Sequence, residues 1–287
     1  MSRFKTMTVF LGLLALPFSA QAKDGGLALG DSMLVQGGIT VVSVSPEAEC
    51  DTVTGTFMGK NLAFIQDGLG GFFSLLGVDM NAGPGAYPVS VKLQCEGRKN
   101  QTKSRTVVVS DANFPVQKLT LPPKKVFPDS AAMARIKRET ALRNRKWSRW
   151  DRQAHWEGDF IRPLEGEMRR FGHRRIINDA PRSPHSGVDI SAPEGTPVAC
   201  PARGRVILTG DFFFTGKTVY LDHGLGLVDM FFHLSRIDVA EGEMVEQGQV
   251  LGAVGSTGRA TGPHLHWGIR YRGSRINPAA LLELYSD

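Results

Sequence analysis

Two short segments constrain this chain more than the rest of it: His185-Ser-Gly-Val-Asp189 and Gly262-Pro-His-Leu-His-Trp267. Both carry the alternation of a sheet strand. Val188 and Ile190 interleave with Asp189 and Ser191, and Leu265 and Trp267 interleave with His264 and His266. A carboxylate held among apolar neighbours is costly unless something pairs with it. The two segments are therefore expected to meet, and any fold must set one beside the other. Their meeting gathers three imidazoles and one carboxylate, the donor set of a zinc site with a position left open for chemistry.

The spacing within each segment says more. On one straight strand His185 and Asp189 would stand about 13 Å apart, at about 3.3 Å per residue, too far for bonds of about 2 Å to a common ion. Gly187 is therefore expected to bend the chain, with His185 on a loop that folds back over Asp189. His264 and His266 lie two positions apart on one strand face, about 6.6 Å between Cα atoms. Either both reach one metal, or one binds it while the other works beside it. His233, in the apolar run Met230-Phe-Phe-His-Leu234, is either a satisfied core histidine or a group for proton transfer or oxyanion binding. His223, in Asp222-His-Gly224, reads as a turn residue, and His155 and His173 belong to no cluster.

The chain has 287 residues, enough for two ordinary domains. It opens with Met-Ser-Arg-Phe-Lys, an apolar run from Met7 to Ala20, and Ala20-Gln-Ala22. This is the pattern of a signal peptide cleaved after Ala22. The run is too short to serve as a stable transmembrane anchor, so the mature protein is expected in the periplasm. Loss of Arg3 and Lys5 would take the formal charge from +6 to +4. An exported chain of that charge excludes nucleic acid as a partner. Between Lys124 and Arg149, nine Lys or Arg face only Asp129 and Glu139. That stretch is a solvated helical face or a contact for an anionic envelope component or an envelope protein partner. Of three cysteines, Cys50 and Cys95 are expected to pair in an oxidising compartment, closing a loop worth about 4 kcal/mol. Cys200, in an apolar run, reads as a small core residue.

The predicted fold is mainly β. Residues 23–120 alternate short apolar runs with Gly, Asn and Pro turns and are expected to form an immunoglobulin-like β-sandwich. Residues 121–159 read as a basic helical linker, with Trp147, Trp150 and Trp156 docking it onto a domain. Residues 160–287 return to short strands, with a helix only at Pro278-Ala-Ala-Leu-Leu-Glu-Leu284.

From about Arg162 to Leu282 the sequence closely resembles the lysostaphin-type, LytM-like zinc endopeptidases. The likeness rests on Phe171-Gly-His-Arg174, His185-Ser-Gly-Val-Asp-Ile-Ser-Ala-Pro-Glu-Gly-Thr-Pro-Val198, Gly204-Arg-Val, Asp222-His-Gly, Phe232-His-Leu and the run from Gly248 to Trp267. The resemblance implies a C-terminal antiparallel β LytM-like (duplicated hybrid motif) peptidase domain. It implies one Zn2+ per chain on His185, Asp189 and His266, with His233 and His264 as catalytic histidines. The implied substrate is the peptide cross-links of bacterial peptidoglycan. The N-terminal domain and linker resemble, more loosely, those of exported Gram-negative members. Two rival functions are a catalytically silent envelope regulator that binds and activates cell-wall amidases, and a structural protein with an incidental zinc. Degenerate regulators lack ligands that this chain retains, and a closed structural site would use a fourth protein ligand. The scissile bond is open, D-Ala to diaminopimelate or another. Asn178 and Asp179 are expected to shape the approach to the site or to occupy a metal position.

Overall fold

The computed structural model describes residues 26–67, 70–120 and 128–284. The expected signal peptide and its cleavage site lie outside the described residues. No helix among the described residues is long and apolar enough to cross a membrane.

The chain is mainly β. Its first strands form two sheets. A four-stranded sheet runs Leu27–Leu29, Ile39–Val44, Phe72–Gly77, Ile65–Gln66, and a five-stranded one runs Met33–Val35, Gln101–Ser110, Gly85–Cys95, Cys50–Phe57, Lys60–Leu62. The larger sheet follows its sequence alternation: Val89, Val91 and Leu93 are buried, as are Val107 and Val109 on the neighbouring strand. They close one core with Val42, Val44, Phe57 and Leu76. Cys50 and Cys95 are disulfide-bonded across paired strands.

The smaller sheet is buried on both faces. Ile39, Val41, Phe73 and Leu75 turn away from the sandwich and join a second core with Val188, Phe231, Leu265 and Trp267. Ile39-Thr-Val-Val-Ser-Val44 is nearly continuously apolar, as a doubly covered strand must be. Polar contacts tie the seam. Tyr271 donates its hydroxyl to the Leu75 carbonyl at 2.9 Å, and Arg275 pairs with Asp79 through Nε at 3.0 Å.

The second half is built on a seven-stranded sheet. Its path is Gly187–Ser191, His264–Tyr271, Leu227–Leu234, Gly216–Gly224, Gly204–Phe212, Met244–Val245, with Ser274–Ile276 also on His264–Tyr271. Every pairing in it is antiparallel. Leu265, Trp267 and Phe231 are fully buried on one face; each such side chain contributes about 1.5–3 kcal/mol by leaving water. The opposite face of the same strands carries the histidines.

Two connections bind the halves beyond this seam. Strand Val116–Leu119 runs parallel to Arg174–Ile177, which hairpins back as Ala180–Arg182. The expected sandwich region reached residue 120, yet its last strand sits beside residues 174–182. Helix Ser130–Trp147 is capped by Asp129, whose carboxylate accepts from the Ala132 amide at 2.8 Å, and none of its residues is fully buried. It is held instead by surface contacts. Glu139 accepts the Phe213 amide at 3.0 Å and Lys146 pairs with Glu241 at 2.7 Å. Trp147 packs on Tyr220 with Arg270 stacked over it, Arg272 covers Trp150, and Trp156 is buried in the second core.

His223 departs from the turn expected for it. It is fully buried on strand Gly216–Gly224, its Nδ1 3.0 Å from the Arg203 carbonyl and its Nε2 3.5 Å from the buried Asp229. The chain turns just after it, through Gly224, Leu225 and Gly226, all at positive φ. Asp222 draws that turn closed by accepting the Gly224 amide at 2.8 Å. Cys200 is buried, donates to the Ala202 carbonyl, and has its thiol pushed up to about 12 by burial.

Candidate metal centre and its cleft

Antiparallel pairing of Gly187–Ser191 with His264–Tyr271 sets Asp189 directly opposite His266 and Ser191 opposite His264. On the other side, Phe232 of Leu227–Leu234 lies opposite His266. His185 stands in the loop before Gly187, anchored by its Nδ1 to the Arg170 carbonyl at 2.9 Å. Its Nε2 then lies 2.8 Å from His266 Nδ1 and 2.9 Å from Asp189 Oδ1, and His266 Nδ1 lies 3.1 Å from the same oxygen. All three residues are buried.

Gly187 does admit this fold-back, for a different reason than the sequence suggested. It does not use a left-handed conformation. A Cβ there would meet the Trp267 carbonyl oxygen at 2.4 Å and His266 Nε2 at 2.7 Å. The glycine is needed for close approach of two strands, not for freedom of φ.

The donor chemistry fits a cation. A backbone carbonyl only accepts, so His185 Nδ1 carries its proton and its Nε2 offers a lone pair. One carboxylate oxygen and two ring nitrogens thus converge within 3.1 Å of one another. Bonds of about 2.0–2.1 Å from these atoms to one zinc suit that spacing. Phe232 stacks on the His266 ring, centroids 5.0 Å apart, and fixes its plane. The Arg170 guanidinium lies 3.3 Å from Asp189 Oδ2, the oxygen turned away from His185 and His266.

His264 and His233 flank the cluster. His264 Nε2 is 3.7 Å from Asp189 Oδ1, and the two rings are 4.9 Å apart by centroid. His264 donates Nδ1–H to the Gly262 carbonyl, and His233 donates Nδ1–H to the Thr257 carbonyl, both at 2.8 Å. Each neutral ring therefore keeps its Nε2 lone pair available. His233 has φ 65°, a left-handed conformation for a residue with a Cβ, held by its amide on the Thr215 carbonyl at 2.9 Å. Such strain costs about 1–3 kcal/mol and gathers at functional sites.

Burial pushes the His266 ring down to about 4, overriding the opposing bond to Asp189, and pushes His233 down to about 3, with the charge of His266 adding to it. Burial also lowers His185. For Asp189, burial favours the neutral acid, but the His185 and His266 rings beside it prevail and hold the carboxyl far below its usual range. The depressed histidines give a signed expectation. The unfolded chain takes up protons near the ordinary histidine value of 6.5 while the folded protein refuses them down to about 4. Metal-free protein should therefore lose stability as pH falls from about 6.5 toward 4. The Asp189 contribution stays whole across that window and is lost only below the ordinary value of 3.8. Denaturant melts of chelator-treated protein at pH 7 and pH 5 check this, and equal midpoints would refute it.

The five side chains line one cleft of about 360 Å³. One wall comes from Gln117 and Leu119 on Val116–Leu119, another from Phe214 and Thr215 at the tip of the Gly204–Phe212 and Gly216–Gly224 hairpin. Arg143 of the helix also reaches it. Four arginines line it, Arg143, Arg170, Arg175 and Arg259, with Asp189 as its one carboxylate among the described residues. Sequence reasoning missed these arginines. Asn178 and Asp179 join neither the cluster nor the lining; at φ 49° and 60° they form the hairpin turn between Arg174–Ile177 and Ala180–Arg182. His155 and His173 also lie outside the cluster.

The sequence profile of Peptidase family M23 matches residues 183–278, the segment carrying all five side chains. A DD-carboxypeptidase/endopeptidase of Neisseria meningitidis is 43% identical over 97 residues, covering 34% of this chain and 22% of that protein. A peptidoglycan DD-endopeptidase of Vibrio cholerae is 41% identical over 119 residues, covering 40% of this chain and 28% of its own length. The match thus spans only 22% of the first relative's length and 28% of the second's. A Pseudomonas aeruginosa crystal structure described as an M23 peptidase superposes with a TM-score of 0.65 at 32% identity, covering 88% of this chain and 96% of the other.

Proposed function

Since the chain belongs to peptidase family M23, we propose that it is a periplasmic zinc metalloendopeptidase that hydrolyses peptide cross-links of peptidoglycan. The observation that carries this reading is the convergence of His185 Nε2, Asp189 Oδ1 and His266 Nδ1, with two further imidazoles beside them. His185, Asp189 and His266 would hold the metal, leaving a position for substrate or water. Zinc supplies Lewis acidity when bound, lowering the pKa of water and polarising the scissile carbonyl.

The rest is work for the chain's own groups. His264, with Nδ1–H committed to Gly262, takes the proton of the attacking water at Nε2. The same fixed tautomer makes His233 an acceptor in the resting protein. It donates to the oxyanion only after taking up a proton, a step that the developing negative charge favours. Either ring can then return a proton to the leaving amine. The cleft walls exclude water around these events, which strengthens each charge interaction.

The test is mass spectrometry of purified peptidoglycan incubated with the protein, with chelator, and with chelator followed by zinc. New peptide amine termini should appear, vanish and return in that order. Intact cross-links in all three samples would overturn the reading and leave the amidase-activating alternative.

A further inference from the structure

The arginines of the cleft are arranged for a ligand. Asn178 and Asp179 close a hairpin whose register sets Arg175 directly opposite Arg182. Arg259 adds to this charge from the loop that carries Thr257, its guanidinium 4.4 Å over the Phe214 ring. Burial first, then the charges of Arg175 and Arg182, lowers its basicity. Among the described residues neither Arg175 nor Arg259 has an ion-pair partner. The Nε of Arg175 is buried with nothing to donate to. Gln117, which faces Arg175 in the parallel register, presents a buried side-chain oxygen that accepts from nothing. Asp189 makes no ion pair with Arg175 or Arg259; its close contacts are to His185, His266 and Arg170.

Resting on the peptidase reading above, we propose that Arg175 and Arg259 form a carboxylate-binding subsite beside the metal centre, so that the cleft selects peptides bearing a free carboxylate near the scissile bond. Gln117 completes it by accepting a peptide N–H of the same ligand, which a simple inorganic anion does not offer. Guanidinium–carboxylate pairing is the strong, directional form of such contacts. Arg259 is pre-positioned by its stacking on Phe214.

The experiment is calorimetric binding to the full-length His264→Ala protein, so that no turnover is needed. The probes are a peptidoglycan stem peptide with free carboxylates and the same peptide amidated. The free acid should bind at least about ten-fold more tightly. Arg175→Gln/Arg259→Gln should bind both peptides alike, at the affinity of the amidated form. Arg175→Lys/Arg259→Lys should keep part of the preference, which separates lost charge from a misfolded cleft. Equal binding of the two peptides by the parent protein, a preference that survives the Gln pair, or displacement of the acid by an equal concentration of inorganic phosphate would each overturn the subsite. Failure of wild type to hydrolyse peptidoglycan would instead remove the peptidase reading, and the binding preference would still stand or fall by itself.

Discussion

Replacement of His264 by alanine is expected to leave metal uptake near one ion per chain while lowering peptidoglycan turnover by about 10²–10⁴-fold, the range lost with a general acid–base group. His266→Ala should do the reverse in order: metal content falls first, and activity disappears with it. The contrast follows from position. His266 Nδ1 lies 2.8 Å from His185 Nε2 and 3.1 Å from Asp189 Oδ1, inside the donor triangle. His264 Nε2 stands outside it, 3.7 Å from the same oxygen, with its ring oriented by the Gly262 carbonyl. Elemental analysis and fragment release, measured on both variants, decide the matter. Loss of metal from the His264 variant, or undiminished turnover by it, would sink the division of labour.

Gly187→Ala should damage both the fold and the metal centre with a single methyl. Its Cβ would press on the Trp267 carbonyl, His266 Nε2 and the Gly268 Cα at 2.4, 2.7 and 2.9 Å. Two of these are backbone atoms of the paired strand and the third belongs to a stacked ring, so none yields cheaply. A destabilisation of about 3 kcal/mol, the upper range for overpacking, should come with weakened metal binding, since strand separation pulls His266 from Asp189. Gly262→Ala is the matched control. It has open space around its Cβ position and no positive φ, so its stability should stay within about 0.5 kcal/mol of the parent. Denaturant melts and a chelator competition titration on the two variants test both halves of the expectation.

These results hang on features of unequal visibility. The meeting of His185-Ser-Gly-Val-Asp189 with His264-Leu-His266 was legible because alternation fixes which side chains share a face, and a lone buried carboxylate demands company. The need for Gly187 was legible too, but its reason was not, because crowding by Trp267 and His266 exists only once the strands pair. His223 was misread since Asp-His-Gly looks local, whereas its ring answers to Arg203 and Asp229. The arginines were invisible in the sequence. Arg175 and Arg182 become neighbours through a turn of two left-handed residues, and Arg259 joins them from a distant loop. The doubly buried strand Ile39–Val44 did carry its sign, an almost unbroken apolar run, but what covered its second face lies more than a hundred residues further on.

Strand Val116–Leu119 furnishes a wall of the cleft, yet lies well before the segment that carries the imidazoles. Part of the cleft wall is thus written in a different stretch of the chain from the imidazoles. Mutations in the early stretch can retune what the cleft admits while the reacting groups stay untouched, and mutations near the imidazoles have no such latitude. A lineage built this way can vary what its cleft admits through the scaffold, keeping one cluster of imidazoles throughout.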